Sequence, residues 1–186
     1  MKILIFGASG SGTTTLSDYI ESKIDSFVHL EADKYYWEKT EPPFTIKKNV
    51  QERNDSILAD INKIENVVIS GSLLSWGQVF WDIFDVAVFI YIPQDTRIKR
   101  LIERDKQRYG SLLETDADYR KKHLDFIEWA ATYDSPQLTN TGRCISLHKS
   151  WISKLTIPVI KIEGDNTVEE SFQFLKENLN KFGFNI

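Results

Sequence analysis

The chain has 186 residues, a hydrophobic fraction of 41%, a charged fraction of 27% and a net charge of -4 at pH 7. These values are typical of one soluble domain with a sizeable core. The acidic balance excludes a general basic surface, so we expect no nucleic-acid partner. The longest apolar run, residues 86–92, is too short to cross a bilayer, and we expect no membrane association.

The chain has one cysteine, Cys144, so no internal disulfide can form. This agrees with a reducing compartment. Gly7 interrupts the first apolar run well before it reaches the length of a signal peptide. We therefore expect a cytoplasmic protein.

Five apolar runs predict strands, at residues 3–6, 27–30, 67–70, 86–92 and 157–162. Their continuous apolar character is typical of parallel strands buried on both faces. Apolar residues at helical spacing predict helices at residues 13–24, 46–64, 96–108, 119–133, 145–155 and 168–182. The alternation predicts a doubly wound α/β domain, in which ligands bind at the carboxyl ends of the strands.

Residues 110–155 separate the fourth and fifth predicted strands. Their pattern is helical and polar, and no strand is predicted there. No linker rich in proline or glycine marks a second domain. We predict one domain over residues 1–186, with residues 110–155 as a helical insertion or mobile lid.

The first predicted strand ends in the loop GASGSGTTT, directly before a predicted helix. Glycines permit positive φ angles, and a helix N-terminus presents N–H groups and a positive dipole to an anion. Gly7, Gly12 and Thr14 occupy three of the four fixed positions of the phosphate loop G-x-x-x-x-G-K-[ST]. The Thr14 hydroxyl is a candidate Mg²⁺ ligand. Thr13 stands where the pattern has lysine.

The missing lysine leaves three functions open. That lysine normally offsets charge on the transferred phosphoryl group, so a phosphotransferase would need cations from elsewhere. A nucleotide-binding regulator with little turnover would need only the loop N–H groups. A NAD(P)-dependent reductase would use G-x-G-x-x-G, where Gly10 and Gly12 fit but Thr15 replaces the third glycine, and Glu31 would bind a ribose.

Candidate replacement cations follow the fourth predicted strand. Arg97, Arg100, Arg104 and Arg108 are three, four and four residues apart, which places them on one face of a helix. Like charges at this spacing repel, which favours an anion-binding role over a solvated face. Arg100 and Arg104 are central and are the stronger candidates for a catalytic arginine. Arg143 and Lys149, near the end of the insertion, are weaker candidates.

Two acids follow the second predicted strand. Glu31 and Asp33 are two residues apart, so an extended strand end would turn both to one side, beside the glycine loop. Asp33 is a candidate base for an attacking hydroxyl, and Glu31 is a candidate holder of Mg²⁺ through water. Two solvated loop acids are the alternative. The aromatic residues that come next suit either base stacking or a core.

The third predicted strand ends at Ser70, where a Walker B element would have aspartate. Ser70, Ser72 and the N–H of Gly71 are candidates for contact with substrate or a metal-bound water, with a purely structural role as the alternative. We interpret His29 as a core residue of the second strand. The histidine spacing predicts no zinc site.

Taken in order, the segments GASGSGTTTL, EADKYYW, ISGS and VFIYIPQDTRIKRLIERDKQR resemble the adenylate-kinase-like branch of P-loop kinases. Residues 158–179 look like the last strand and helix of such kinases. The resemblance implies a three-layer P-loop NTPase fold with a five-stranded parallel sheet, helices on both faces and an arginine-bearing lid. It also implies ATP and Mg²⁺ as ligands and phosphoryl transfer to a small molecule.

The resemblance carries over to individual residues. Those implied to hold the nucleotide are Gly7, Gly10, Ser11, Gly12, Thr13, Thr14, Thr15 and Gly164. Arg100 and Arg104 correspond to lid arginines, and Asp33 lies where the acceptor would bind. Because Ser70 replaces the Walker B aspartate, Mg²⁺ would depend on Thr14, on phosphate oxygens and water, and on Glu31 or Asp33.

The class of acceptor stays open at this point. A hydroxyl acceptor benefits from a carboxylate base, whereas a phosphate acceptor needs positive charge. The acidic pair is similar to that of shikimate-type and nucleoside kinases, and the arginines are similar to those of nucleotide kinases. We predict ATP-dependent transfer to a nucleotide, a nucleoside or a related metabolite.

Overall fold

The computed structural model describes residues 1–135 and 143–186. Its strands are β1 (Lys2–Gly7), β2 (Phe27–Glu31), β3 (Asn66–Ser70), β4 (Val86–Tyr91) and β5 (Val159–Glu163). All are parallel and lie in the order β2-β3-β1-β4-β5. The predicted five-stranded parallel α/β fold is thereby confirmed.

Eight α-helices and three short 3₁₀ turns connect these strands in the described part of the chain. The helices are α1 (Thr13–Lys23), α2 (Ala32–Tyr36), α3 (Val50–Lys63), α4 (Gln94–Tyr109), α5 (Leu112–Thr115), α6 (Ala117–Ala131), α7 (Ile145–Ile152) and α8 (Val168–Lys181). The 3₁₀ turns are Leu73–Trp76, Gln78–Phe80 and Thr132–Asp134. Among the residues described, no helix combines the length and apolarity that a membrane span needs.

The third helix begins later than its apolar pattern predicts. Its first residue is Val50, and the Asn49 side chain accepts hydrogen bonds from the N–H groups of Gln51, at 2.8 Å, and Glu52. This N-cap satisfies two of the N–H groups that the first turn leaves without helical partners. The expected start at Ile46 is therefore wrong by four residues, because periodicity alone does not locate a cap.

Two apolar layers enclose the sheet. Ile3 and Ile5 of β1 pack with buried residues of α1 and α8, whereas Leu4 and Phe6 pack with those of α3 and α7. Adjacent strand residues point to opposite faces, so a continuous apolar run fills both layers. Each fully buried side chain of this size contributes about 1.5–3 kcal/mol. The three-layer architecture follows from this burial.

The strand order also separates the functional alternatives. In a dinucleotide-binding fold the second strand lies beside the first. Here β3 lies between β1 and β2, with Ser70 paired to Ile5 on one side and to Glu31 on the other. The topology therefore disagrees with the reductase hypothesis. It also places the ends of β1, β2 and β3 side by side.

Arg97 belongs to the core rather than to an anion site. Its guanidinium is fully buried, donates to the Ile92 carbonyl at 3.0 Å, and pairs with Asp134 at 2.7 Å. It also lies over the Tyr133 ring, 4.9 Å from the ring centre. The expectation that all four arginines of α4 serve one anion-binding face is wrong for Arg97, which joins α4 to the insertion instead.

Replacing Arg97 with methionine should lower the free energy of unfolding by about 3 kcal/mol, because Asp134 would lose its partner. Lys106→Met changes an exposed cation of the same helix and should stay within about 0.5 kcal/mol of the wild type. Urea unfolding followed by circular dichroism measures both values. Equal stability of the two variants would contradict this role.

Candidate functional site

A cavity of about 1430 Å³ opens at the carboxyl ends of the strands. Twelve residues to which the sequence assigns a catalytic, nucleotide-binding or metal-binding role line it. These residues are Gly7, Gly10, Ser11, Gly12, Thr13, Thr14, Thr15, Glu31, Asp33, Arg100, Arg104 and Gly164. Residues as far apart in the chain as Gly7 and Gly164 therefore share one space. Their chemical roles remain predictions, which the following geometry supports.

The glycine loop is shaped by its contacts with β4 and α4. Gly10 and Gly12 have φ angles of 80° and 90°, in the region that glycine occupies at little cost. A Cβ at Gly10 would lie 2.8 Å from the Arg97 carbonyl, and one at Gly7 would lie 2.5 Å from the Ile90 carbonyl. No side chain fits at either position. The glycines therefore allow the loop to lie close against its neighbours.

The loop retains donors that suit an anion. Within the described residues, the N–H groups of Gly10, Gly12, Thr13 and Thr14 donate to no protein group. The Ser11 hydroxyl is buried and has no hydrogen-bond partner there either. Buried polar groups normally have partners, and α1 adds its positive N-terminal dipole. The residues present therefore fit a phosphate group.

Two arginines approach this loop. The Arg100 Nη1 atom lies 3.8 Å from the position that a Cβ on Gly12 would take, and its Nη2 atom pairs with Asp165 at 2.5 Å. The Arg143 Nη1 atom is 3.4 Å from the Ser9 hydroxyl. Sequence spacing ranked Arg143 as a weak candidate, because nothing in the chain shows that the insertion brings it back to the loop.

Arg104 lies in the cavity wall with partners of its own. Its guanidinium bonds Asp105 at 3.1 Å and lies 5.5 Å from the centre of the Phe126 ring. Asp105 is buried and is also 2.9 Å from the Nδ1 atom of His123 in α6. Arg104 therefore joins α4 to the insertion at the cavity edge, whereas Arg100 lies beside the glycine loop.

The two acids do not share one side of a strand. The chain turns from β2 into α2 at Ala32, so Glu31 ends the strand and Asp33 lies in the first helical turn. The expected extended geometry is wrong for this reason, although both side chains line the cavity. Glu31 pairs with Lys34 at 3.4 Å. Asp33 is exposed, and no ion pair or side-chain hydrogen bond engages its carboxylate in the described chain.

Aromatic side chains form one wall of the cavity, and the rings are Tyr36, Trp37, Phe44 and Trp76. Their centres are 4.9 Å apart for Tyr36 and Trp37, and 5.8 Å apart for Tyr36 and Trp76. Arg53 lies outside the cavity lining, 4.0 Å from the centre of the Trp76 ring. Burial lowers the pKa of Arg53, although a guanidinium stays charged near neutral pH. Arg53 thus supports the wall, and the sequence did not indicate Trp76.

The end of β3 offers hydroxyls rather than an N–H group. The Gly71 N–H donates to the Ile5 carbonyl at 2.9 Å, so the expectation that it contacts a ligand is wrong. The Ser72 hydroxyl is 3.2 Å from the Nε2 atom of His148. Burial lowers the pKa of His148 to about 3, which keeps the ring neutral. Its Nδ1 atom meets the Tyr133 hydroxyl at 2.8 Å, so this network holds the insertion to β3.

The comparisons with known proteins identify the family. The sequence model of a family described as "AAA domain" matches residues 3–122. The chain belongs to this AAA-domain family. The YqaC protein of Bacillus subtilis (strain 168) is 37% identical over 169 residues, covering 91% of this chain and 92% of that protein.

More distant similarities lie among kinases. A uridine kinase of Ligilactobacillus salivarius (strain UCC118) is 24% identical over 170 residues, covering 69% of this chain and 80% of the relative. A solved shikimate kinase of Acinetobacter baumannii, in complex with shikimate, has a TM-score of 0.55 at 12% identity and covers 97% of this chain and 93% of its own. The sheet topology and this structural likeness show a three-layer α/β P-loop NTPase fold.

In this AAA-domain protein, hydroxyl and carboxylate oxygens are available for a hard cation such as Mg²⁺. Thr14 lies at the second position of α1 and lines the cavity, and its hydroxyl has no partner in the described part of the chain. Glu31 pairs with Ser70 in the sheet register and lines the same cavity. These donors fit Mg²⁺, and Thr14 and Glu31 would hold it.

Proposed function

We propose that this protein transfers a phosphoryl group from ATP to a hydroxyl of a small molecule, with nucleosides and related ring-bearing metabolites as the acceptor class. One observation carries the proposal. The glycine loop, the Arg100 guanidinium and the Asp33 carboxylate, which has no partner among the described residues, line a single cavity. Two of the similar proteins are a uridine kinase and a shikimate kinase, which agrees with a hydroxyl acceptor.

The glycine loop would hold the phosphates of ATP through its unpaired N–H groups. Mg²⁺ bound with ATP offsets negative charge on the β- and γ-phosphates. Thr14 and Glu31 are the residues that would hold this ion. Gly164 directly follows β5 on the cavity wall with a φ angle of 96°, a position that suits the adenine end of the nucleotide.

Arg100 would supply the charge that Thr13 lacks. Its guanidinium lies beside Gly12. Gly12 directly precedes Thr13, which stands where the phosphate-loop pattern has lysine. Its partner Asp165 is largely exposed, and exposed ion pairs contribute little stability. Exchange of Asp165 for a phosphate oxygen would therefore cost little.

Asp33 would accept the proton of the acceptor hydroxyl. Its carboxylate is exposed to the cavity and is not neutralised by a protein cation in the described chain. A phosphate acceptor would be repelled by this free negative charge, which is why we favour a hydroxyl. The wall of Tyr36, Trp37, Phe44 and Trp76 would bind a flat or apolar part of the acceptor.

A regulator that binds nucleotide with little turnover is the second candidate. Thr13 favours it, because the loop can hold phosphates without the charge that speeds transfer. The two candidates differ only in turnover, so binding and transfer must be measured on the same sample.

Calorimetric titration with ATP, GTP and NADP, each with and without Mg²⁺, tests the proposal when followed by assays with nucleosides, nucleotides and hydroxy acids. We expect Mg²⁺-dependent binding of ATP and phosphorylation of a hydroxyl. Gly10→Val should abolish binding, since its side chain would meet the Arg97 carbonyl, and circular dichroism checks that this variant is folded. Tight ATP binding without transfer to any acceptor would favour the regulator, and binding of NADP alone would refute both.

A further inference from the structure

Three side chains connect the protein surface to the cavity through hydrogen bonds. The Asp18 Oδ1 atom lies 2.7 Å from the Nδ1 atom of His29, and the Nε2 atom of His29 lies 2.8 Å from the Ser70 hydroxyl. Asp18 is on α1, His29 on β2 and Ser70 at the end of β3. The side chain of His29 is only 4% exposed, whereas that of Asp18 is 63% exposed. His29 is therefore more than a core residue, because both ring nitrogens have polar partners.

The chemistry of the partners determines the direction of these hydrogen bonds. An ionised carboxylate only accepts, so the proton of a neutral His29 must be on Nδ1. The Nε2 atom then accepts, and the Ser70 hydroxyl must donate to it. The lone pairs of the Ser70 oxygen are left for a second partner, and Ser70 lines the cavity. Without the hydrogen bonds from Asp18 through His29, the Ser70 hydroxyl could turn its proton toward the ring or toward the cavity.

The position of Ser70 indicates what that second partner is. Ser70 pairs with Ile5 of β1, two residues before Gly7, and with Glu31 of β2. Its hydroxyl thus ends β3 between the glycine loop and the candidate Mg²⁺ holder Glu31. This is the place where the Walker B pattern would have an aspartate, whose oxygen is also an acceptor.

We propose that Asp18 and His29 form a relay that fixes the Ser70 hydroxyl as a hydrogen-bond acceptor toward the cavity, so that Ser70 takes the place of the Walker B aspartate and accepts from the water shell of the nucleotide-bound Mg²⁺. The proposal rests on the proposed function, because it assigns Ser70 to the same nucleotide site. In it, Ser70 contacts the hydrated ion, and Asp18 and His29 are positioning residues.

The chain offers a matched pair of variants on one helix. Asp18→Asn keeps the shape of the side chain but no longer fixes the proton on Nδ1, because an amide can accept from Nδ1 or donate to it. Where the amide donates, the His29 proton moves to Nε2 and the Ser70 hydroxyl turns away from the ring. Glu21 lies one turn further on α1 and accepts the backbone N–H of His29 at 2.9 Å. Glu21→Gln therefore removes the same charge from the same surface without removing a hydrogen bond of the ring. Asp18→Glu restores a carboxylate.

The first measurement is the ¹⁵N NMR spectrum of the histidine rings at one neutral pH, in the protein without nucleotide. The His29 signals are assigned from a His29→Gln spectrum. We expect a protonated Nδ1 in the wild type and in Glu21→Gln, and a larger fraction of rings protonated at Nε2 in Asp18→Asn. A wild-type ring protonated at Nε2, or no difference between the Asp18→Asn and Glu21→Gln spectra, would overturn the relay.

The second measurement is the affinity of the protein for Mn²⁺ in the presence of ADP. Electron paramagnetic resonance of the free Mn²⁺ ion reports how much of the ion is bound. We expect Ser70→Ala to bind about tenfold more weakly, since outer contacts of a metal site have effects of this size. Asp18→Asn should fall between Ser70→Ala and the wild type. Glu21→Gln and Asp18→Glu should stay within about twofold of the wild type. Equal affinities in all variants would overturn the role of Ser70 at the ion but would leave the proposed function intact. Failure of the wild type to bind Mn²⁺ with ADP would refute the proposed function as well, so the two failures are distinguishable.

Discussion

Arg100→Ala should lower kcat for phosphoryl transfer by about 10³-fold, because the protein would lose the cation that lies beside the phosphate loop. The Arg100 Nη1 atom is 3.8 Å from the place of a Cβ on Gly12, and the usual lysine is replaced by Thr13. Nucleotide affinity should fall far less than kcat, since the loop N–H groups are unchanged. Steady-state kinetics with saturating ATP and calorimetry on the same variant separate the two effects.

Two further variants show whether Arg100 acts through its charge at this place. Lys99→Ala removes the neighbouring exposed cation of α4 and should leave kcat within about twofold of the wild type. Thr13→Lys, combined with Arg100→Ala, should recover a large part of the lost rate, because it restores an ammonium at the pattern's own position. If Arg100→Ala turns over like the wild type, Arg100 is not the replacement cation.

Asp33→Asn should lower kcat by about 10²- to 10⁴-fold, the range expected for loss of a general base. The KM for ATP should change little, because Asp33 lies after β2 and outside the glycine loop. The fold should also be unaffected, since no described residue pairs with its carboxylate. Initial rates at varied ATP and at varied acceptor concentrations measure these constants.

Glu38→Gln is the matched control for Asp33. It removes an exposed carboxylate from the segment after α2, outside the cavity lining, and should leave kcat within about twofold of the wild type. An unchanged kcat in Asp33→Asn, with transfer retained, would point to a phosphate acceptor. Such an acceptor is already an oxyanion and needs no base.

Much of the fold follows from local patterns. The runs at residues 3–6 and 86–92 are apolar at every position, which predicts parallel strands covered on both faces, and β1 and β4 occupy them. The caps were harder to predict. Asn49 starts α3 through contacts with two N–H groups, and a helical period does not contain that information. The turn of Asp33 into α2 escaped prediction for the same reason.

Arg97 shows a second limit of sequence reasoning. Arg97 and Arg100 are three residues apart, a spacing that places two side chains on the same face of a helix. The sequence therefore predicts that they share one row of arginines. Burial then separates them, because Arg97 lies at the first turn of α4 against Asp134, while Arg100 faces the glycine loop. A charge stripe predicts a shared face of a helix but not which part of that face meets the core.

The sequence by itself determined the phosphate loop, the alternation of strands and helices, and the replacement of lysine by Thr13, because each depends on residues close together in the chain. Only the tertiary structure decided which distant residues meet. The order of β1, β2 and β3 brings His29 to Ser70, and the insertion returns Arg143 to the loop. Such contacts depend on packing across the whole sheet, and a contact between distant residues leaves no periodic signal in either segment.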